Sequence, residues 1–344
     1  HTLAVELSAR LLETGILEPQ KLLFRLQEEK SALDATDIIN IIKDGQSRKA
    51  TYYDHIHTLF SLYQLSPEEQ DVMRGLAFIP ANGINGRLYA QWLKLPDMNT
   101  INDLIEKGFI QAQACRHIAL HPMIQEVTVD ETKPSVKNSS VLLGSLQDVC
   151  LHHGEDVSYY KQLFQTIENI ICQIENNDTP AYLLFLENSF PYMEKYHYTA
   201  GMELVINKLS ELLTDKTVGR STDRALLLDY RAACEEKTEK AIKLEKEAIA
   251  LIPEISEKNA HLVSNLYSNL GGLYKKAGKR DLAQQAMEQG LRILEQYDLL
   301  YYHDSIAQTA NYAVLLTEMG QPEIGLSALK KLSRMIRDLN SDQT

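Results

Sequence analysis

One histidine of this chain stands where a side chain could do chemistry on a charged ligand. His121 precedes Pro122 in the segment IALHPMIQEV, where a short alternating run gives way to the start of a helix. An imidazole close to neutrality can donate an N–H to an anionic oxygen. The alternative is that His121 only caps the helix that follows it, and the residues taken alone favour this simpler role.

Other residue clusters that could do chemistry give weaker signals. Cys150, His152 and His153 lie in the segment CLHHG, but adjacent histidines on a helix point about 100° apart and seldom share one ion. The carboxylate pairs Glu28–Glu29 and Glu235–Glu236 fit solvated helix faces. A phosphate-cradling GxxxxGKS or GxxxxGKT segment is missing from the sequence. We therefore expect no catalytic residue, no metal and no ATP hydrolysis, and predict that this chain is not an enzyme.

The composition is typical of a soluble globular protein. The chain has 344 residues, enough for two or three domains, of which 44% are hydrophobic and 24% charged. Its net charge of -12 argues against non-specific binding to nucleic acid, because binding to phosphates needs a basic surface. No apolar run reaches the roughly 18 residues of a membrane-spanning helix. The four cysteines lack CxxC spacing, which favours a reducing, cytoplasmic setting.

The first 48 residues predict a small helical segment. A helical pattern at Leu3, Leu7 and Leu11 is under way close to the first residue, and Gly15 is a natural stop. A helix that begins with so little lead-in suggests that the chain is a fragment and that a further segment precedes it.

Residues 49–130 predict short helices followed by a β-hairpin. Ser66 and Glu69 have the spacing of a capping box at the start of one helix. Two short runs, Phe109–Gln113 and His117–Leu120, would form the hairpin. Helices followed by a hairpin are typical of a winged helix.

A winged helix can bind DNA, and this alternative depends on the charge of one helix. The helix that would enter a groove is Asn85–Leu95, in which Arg87 and Lys94 are the cations. Two cations beside several apolar residues make a poor match for phosphates. The sequence favours a protein-facing packing module, and we do not expect nucleic acid as a partner.

After a polar linker at 131–140, the sequence predicts helix after helix. The segment NLYSNLGGLYKKAGKRDLAQQAMEQGLRIL matches QTANYAVLLTEMGQPEIGLSALKKLSRMI when Gly278 is placed on Gly320, an offset of 42 residues. Self-similarity at a fixed period predicts stacked helix pairs. We assign residues 221–344 to these repeats and residues 141–220 to degenerate units of the same kind.

The repeat resembles the tetratricopeptide repeat (TPR). In the middle unit, the large and small residues of that motif fall at Tyr267, Leu270, Gly271, Tyr274, Ala283 and Met287. The last unit departs from the motif at Gly325, where alanine is usual. The 42-residue spacing is similar to that of the tetratricopeptide variants of kinesin light chain. The resemblance implies a curved α-solenoid with the first helix of each pair on its inner face.

Four polar side chains are predicted on that inner face. Helical spacing from the packing positions places there Tyr230, Asn265, Asn269 and Asn311. An asparagine amide offers both a donor and an acceptor, so it can bind a peptide backbone whatever the peptide sequence. The alternative is that these are solvated surface amides. We predict a protein or peptide ligand here.

The first 130 residues resemble the carboxyl part of an NB-ARC module, which belongs to the STAND class of signal-transducing P-loop ATPases. The segments HTLAVELSARLL, LSPEEQDVMRGLAFIP, INDLIEKGFI and IALHPMIQEV follow the order of its helical segment, winged helix and Met-His-Asp type motif. Pro122 stands in place of the acid of that motif, and Thr2 in place of a proline that packs on adenine. The resemblance implies that His121 contacts the β-phosphate of ADP.

The same resemblance implies that ADP or ATP is a cofactor of a full-length parent and not of this chain. The nucleotide-binding domain would precede His1, and exchange of ADP for ATP would release a hinge and allow a homo-oligomer to form.

Together these patterns predict a mainly α protein: a helical bundle plus a winged helix, followed by an α-solenoid of TPR-like helix pairs. The favoured function is a regulatory and sensor fragment of a STAND-type NTPase, in which the TPR superhelix binds a protein or peptide. The alternatives are a TPR-containing transcriptional regulator with a DNA-binding winged helix, and a plain TPR adaptor or scaffold.

Overall fold

The computed structural model describes residues 2–13, 15, 17–24, 57, 60, 61, 63–152, 160–300 and 303–341. The carboxylate pair Glu28–Glu29 and His153 lie outside the described residues. The chain is mainly α-helical and separates into two compact units, residues 1–204 and 205–344. Within the described residues, no helix combines the length and the apolar character that a bilayer crossing requires.

The first unit begins with an amphipathic helix, α1 (Thr2–Glu13). Leu7 and Leu11 lie on its buried face, and the chain leaves the helix at Gly15, whose φ of +69° favours glycine. Arg10 of α1 donates from Nη1 to the carbonyl oxygen of Glu106 at 2.6 Å. This bond ties the first helix to a later part of the same unit.

Three helices and a small sheet form the centre of the first unit. Their bounds are α2 (Pro67–Leu76), β1 (Ile84–Asn85), α3 (Gly86–Trp92), α4 (Asn99–Glu106), β2 (Ile110–Ala112) and β3 (His117–Leu120). The strands are antiparallel in the order β1-β3-β2. The predicted hairpin is therefore confirmed, with Ile110 opposite Leu120. The two-residue strand β1 is an addition that the sequence did not predict.

The predicted capping box at the start of α2 is confirmed. The Ser66 hydroxyl accepts from the backbone N–H of Glu69 at 3.2 Å, and the Glu69 carboxylate accepts from the backbone N–H of Ser66 at 2.8 Å. Glu69 also pairs with Lys107. Although burial opposes it, these hydrogen bonds and the Lys107 charge together hold the pKa of Glu69 below its ordinary value.

Helices complete the first unit after the sheet. They are α5 (Pro122–Thr132), α6 (Ser140–His152), α7 (Tyr160–Gln173), α8 (Thr179–Lys195) and α9 (Thr199–Leu212), and the division between the two units falls inside α9. In the segment predicted as a linker, Ser135 and Val136 are buried, and Ser135 forms a parallel bridge with Glu175.

The second unit is built from helix pairs. They are α10 (Ser221–Ala233) with α11 (Thr238–Ala250), α12 (Ala260–Lys276) with α13 (Arg280–Gln296), and α14 (His303–Glu318) with α15 (Pro322–Ser341). The second helices begin 42 residues apart, at Thr238, Arg280 and Pro322, which matches the period read from the sequence. One buried core runs through successive pairs, because Ile242 of α11, Leu270 of α12 and Tyr312 of α14 belong to the same cluster.

Glycines allow the two helices of a pair to approach closely. A Cβ added at Gly290 would lie 2.9 Å from the carbonyl oxygen of Ser264, and one at Gly325 would lie 2.9 Å from that of Ala313. Both distances are shorter than a carbon and an oxygen tolerate. The glycine that replaces the usual alanine at position 325 is therefore explained by this close approach of α15 to α14.

Candidate functional site

The first helices of the pairs carry a row of amide and carboxylate side chains, which we call the amide face: Asp229, Asn265, Asn269, Gln308 and Asn311. Asp229 lies on α10, two asparagines lie on α12, and the last two residues lie on α14. The three asparagines predicted for the inner face, Asn265, Asn269 and Asn311, are members of this row.

Two hydrogen bonds of the amide face join neighbouring first helices. Asn269 donates from Nδ2 to Oδ1 of Asp229 at 2.9 Å, which links α12 to α10. Gln308 donates from Nε2 to Oδ1 of Asn265 at 2.5 Å, which links α14 to α12. Each asparagine of α12 thus uses one half of its amide to hold the adjacent repeat.

The other halves of these amides remain for a ligand. Within the described residues, Nδ2 of Asn265 and Oδ1 of Asn269 have no hydrogen-bond partner. Asn311 is exposed and has no polar partner among the same residues. The row therefore presents a donor on Asn265, an acceptor on Asn269 and both on Asn311.

Tyr230, the fourth residue predicted for the inner face, is not part of this row. It is on α10 and only 5% exposed, so its ring packs within the unit and offers little surface to a ligand. The neighbouring residue Asp229 is the one that contributes a polar group to the row, because it accepts the hydrogen bond from Asn269.

Asp229 of the amide face also forms a carboxyl pair with Glu245 of the second helix α11. Burial raises the pKa of Asp229, against the opposing effect of hydrogen bonds with Glu245 of α11 and with Asn269. Glu245 is itself almost fully buried. Because two carboxyl groups can share a hydrogen bond only when one carries a proton, the pair retains a proton more readily than an exposed aspartate would.

His121 lies at the junction between β3 and α5 and caps that helix. Its Nδ1 accepts from the backbone N–H of Met123 at 3.2 Å, and its backbone has the extended conformation of an N-cap. Because Nδ1 accepts this bond, Nε2 is the ring nitrogen that could donate to a ligand. The capping alternative is thus realised, while a contact of this half-buried ring with a phosphate stays a prediction. Thr2 is the first residue of α1.

The cysteines and histidines form no ligand set in the part of the chain that the structure describes. No group of three His, Cys, Asp or Glu side chains there could hold a metal ion. Burial raises the pKa of the Cys150 thiol to about 12, so this sulfur is a poor nucleophile and a poor metal ligand at neutral pH.

Two groups of the amide face were missed by the sequence analysis. Gln308 lies one helical turn before Asn311, and Asp229 lies next to Tyr230. Helical spacing from Asn311 would have found Gln308. The contact of Asp229 with Asn269 bridges 40 residues of chain, and no local pattern reports it.

Comparison with known proteins gives a coarse result. No protein-family profile matches the chain, and no curated protein matches it. Among solved structures, it is similar to a signal transduction ATPase with numerous domains (STAND) protein with a tetratricopeptide repeat sensor from Pyrococcus horikoshii. The two chains are 12% identical, with 94% of this chain and 61% of that chain covered and a TM-score of 0.35. This chain thus spans less than two thirds of that protein, and the likeness is one of coarse helical fold.

Proposed function

We propose that this chain is the sensor and regulatory part of a STAND-type NTPase, and that its second unit, a TPR superhelix, binds a protein or peptide along the amide face. The observation that carries this proposal is the row of amide side chains on successive first helices, which keep hydrogen-bond donors and acceptors available for a ligand. Asn265 and Asn269 are held in place by bonds between repeats, so their amides are ordered before a ligand arrives.

An extended peptide is the ligand that suits such a row. Its backbone offers one N–H and one C=O per residue, and the amides of Asn265, Asn269 and Asn311 can satisfy both kinds. Lys275 and Glu318, which pair at 2.8 Å between α12 and α14, add one charge of each sign beside the row. Because these groups read the backbone, we expect modest dependence on the peptide's side chains.

The experiment for this function is a binding selection with a library of unstructured peptides against the whole chain, followed by N-methylation of each backbone amide of the best binder. We expect N-methylation at two positions to weaken binding about tenfold each, because each removes a donor to the amide oxygen of Asn269 or Asn311. Binding that ignores every backbone methyl group would contradict recognition through amides. No saturable peptide binding would leave the plain scaffold as the better description.

We propose further that the first unit contains a winged helix that controls nucleotide-dependent activation. The order α2, β1, α3, α4, β2, β3 with the sheet order β1-β3-β2 supports a winged helix. His121 follows β3 directly, and the capping bond keeps its ring at that junction. In this proposal the imidazole faces the β-phosphate of ADP, and the ADP is bound to a nucleotide-binding domain that the parent protein supplies. The proposal also includes a cytoplasmic location and the formation of a homo-oligomer on activation.

Two substitutions separate this role of His121 from its role as a cap. Asparagine at an N-cap keeps the bond to the Met123 N–H but has no imidazole, whereas alanine has neither. In a parent protein with its nucleotide-binding domain, we expect His121→Asn and His121→Ala both to lose ADP faster than the wild type. If His121→Asn retains ADP as the wild type does and only His121→Ala changes, the histidine is a cap and nothing more.

A further inference from the structure

A cavity of about 240 Å³ lies in the first unit, and its lining includes neither His121 nor a residue of the amide face. Its walls come from α2, from the segment after α3 and from the start of α6, and we call it the Arg74 pocket. The residues that matter to its chemistry are Arg74, Asp71, Lys94, Leu93, Leu95 and Val141. It is smaller than the usual range of about 300–1,000 Å³ for ligand sites, so it suits one short group.

The pocket contains a buried arginine with donors to spare. Arg74 is 8% exposed, and its Nη1 pairs with Asp71 and donates to the carbonyl oxygen of Asn138 at 2.9 Å. Its Nε is buried and has no hydrogen-bond partner among the described residues. Nη2 likewise makes no hydrogen bond with those residues. A buried N–H without a partner, as at Nε, is unfavourable, and an acceptor that reached it would relieve this.

The two unpaired nitrogens define the kind of acceptor. The N–H of Nε and one N–H of Nη2 point in the same direction and form a fork that matches the two oxygens of a carboxylate. We propose that the Arg74 pocket binds a short aliphatic carboxylate, with its oxygens on this fork and its alkyl group against Leu93, Leu95 and Val141.

The other charges around the pocket are compatible with this ligand. Asp71 is paired with Arg74, and Glu68 at the rim accepts a hydrogen bond from the Thr100 hydroxyl. Lys94 is exposed at the rim and has no acidic partner in the described part of the chain, so it adds a second positive charge. Val141 is 48% exposed, which leaves an apolar surface at the pocket for an alkyl group to cover.

The same chemistry could come from a free branched-chain acid or from the carboxyl-terminal residue of a peptide. Calorimetric titration of the whole chain with isocaproate tests the first source. N-acetyl Ala-Ala-Leu with a free carboxylate tests the second. Isocaproamide and the carboxamide of the tripeptide are the matched controls, because they keep the shape and lose the charge.

We expect isocaproate to bind with a Kd on the order of 1 mM, as its few atoms allow, and the amide to bind at least about tenfold more weakly. Whichever of the two acids binds more tightly identifies the source. Equal affinity for an acid and its amide would overturn the proposal. No saturation by either acid at about ten times that concentration would overturn it too.

Variants at exposed positions test the location without disturbing the fold. Val141→Asp places a negative charge at the pocket, and Leu184→Asp makes the same change at a leucine of α8 that is 50% exposed and outside the pocket. We expect Val141→Asp to weaken isocaproate binding about tenfold and Leu184→Asp to leave it unchanged. Arg74→Lys changes the buried residue itself; it keeps the charge but lacks the fork, and it should weaken binding as well. Equal effects of the two aspartate variants would place the ligand elsewhere.

Discussion

Single residues decide how closely the helices of the second unit pack, and Gly290 is the clearest case. The Ser264 hydroxyl donates to the Gly290 carbonyl oxygen at 3.0 Å, and the Ser264 carbonyl oxygen occupies the space that a side chain at position 290 would need. The close contact between α12 and α13 therefore depends on the absence of a Cβ. A helix interior otherwise disfavours glycine, so this residue is retained for packing.

Gly290→Ala should destabilise the second unit by about 1–3 kcal/mol, because backbone must move to admit the methyl group. Gly272→Ala is the matched control, since a Cβ there meets nothing within 4 Å. It should stabilise the unit by up to about 1 kcal/mol through helix propensity. Urea unfolding followed by circular dichroism measures both, and the same sign for the two variants would contradict the close approach.

The cap formed by His121 makes a prediction for this chain by itself. His121→Ala should lower the free energy of unfolding of the first unit by about 1 kcal/mol, and His121→Asn should change it by only a few tenths. The single tryptophan, Trp92, is buried in the same unit, so its fluorescence follows this unfolding. An alanine variant as stable as the asparagine variant would show that the bond to the Met123 N–H contributes nothing.

At the scale of whole elements, adjacent repeats are joined by polar bonds between their first helices as well as by the apolar core. Asn269 with Asp229 joins the first two pairs, and Asn265 with Gln308 joins the next two. Asn265 and Asn269, which could bind a peptide, therefore also help to fix the spacing of the helices. A ligand that bonds to them would stiffen the stack.

The carboxyl pair of Asp229 and Glu245 should make the stability of the second unit depend on pH. Because burial raises the pKa of Asp229, the folded state holds its proton to a higher pH than the unfolded chain does. Stability from this group is complete below the ordinary aspartate pKa and is lost as the pH rises through the raised value.

Asp229→Asn should remove that dependence and keep the acceptor for Asn269. We expect the variant to be more stable than the wild type at neutral pH, by on the order of 1 kcal/mol, because no charge is then buried. Denaturant unfolding at a series of pH values from acid to neutral measures the difference. If the difference in free energy of unfolding between the variant and the wild type does not grow with pH, this residue does not have a raised pKa.

Much of the second unit could be predicted from the sequence because its motif residues are packing residues. Leu270, Tyr274, Ala283 and Met287 repeat at the spacing that the core requires, and all four lie in one buried cluster. The position of Tyr230 could not be predicted in the same way. Helical spacing gives the direction of a side chain but not the neighbour that covers it.

In the first unit, the sequence predicted the features that have a local signature and missed those that depend on distant parts of the chain. The hairpin and the capping box have local signatures, and both are confirmed. Strand β1 has two residues, too few for an alternating pattern, and forms because β3 offers a partner. The Arg74 pocket combines α2, the segment after α3 and α6, so its residues come together only when the chain folds.

For the molecule as a whole, the central claim is that the amide face of the second unit binds a peptide backbone. The structure offers a matched pair of variants for it. Asn311→Ala removes an exposed amide from the face, and Gln285→Ala removes an exposed amide from α13, a second helix. Neither side chain has a polar partner in the described part of the chain, so neither change should affect the fold.

The most direct measurement is the Kd of the best library peptide for the wild type and for these two variants. We predict that Asn311→Ala raises the Kd by about tenfold and that Gln285→Ala leaves it within about twofold, because only the first removes a bond to the peptide. Equal Kd values for all three proteins would contradict the account, and the peptide would then bind to some other surface.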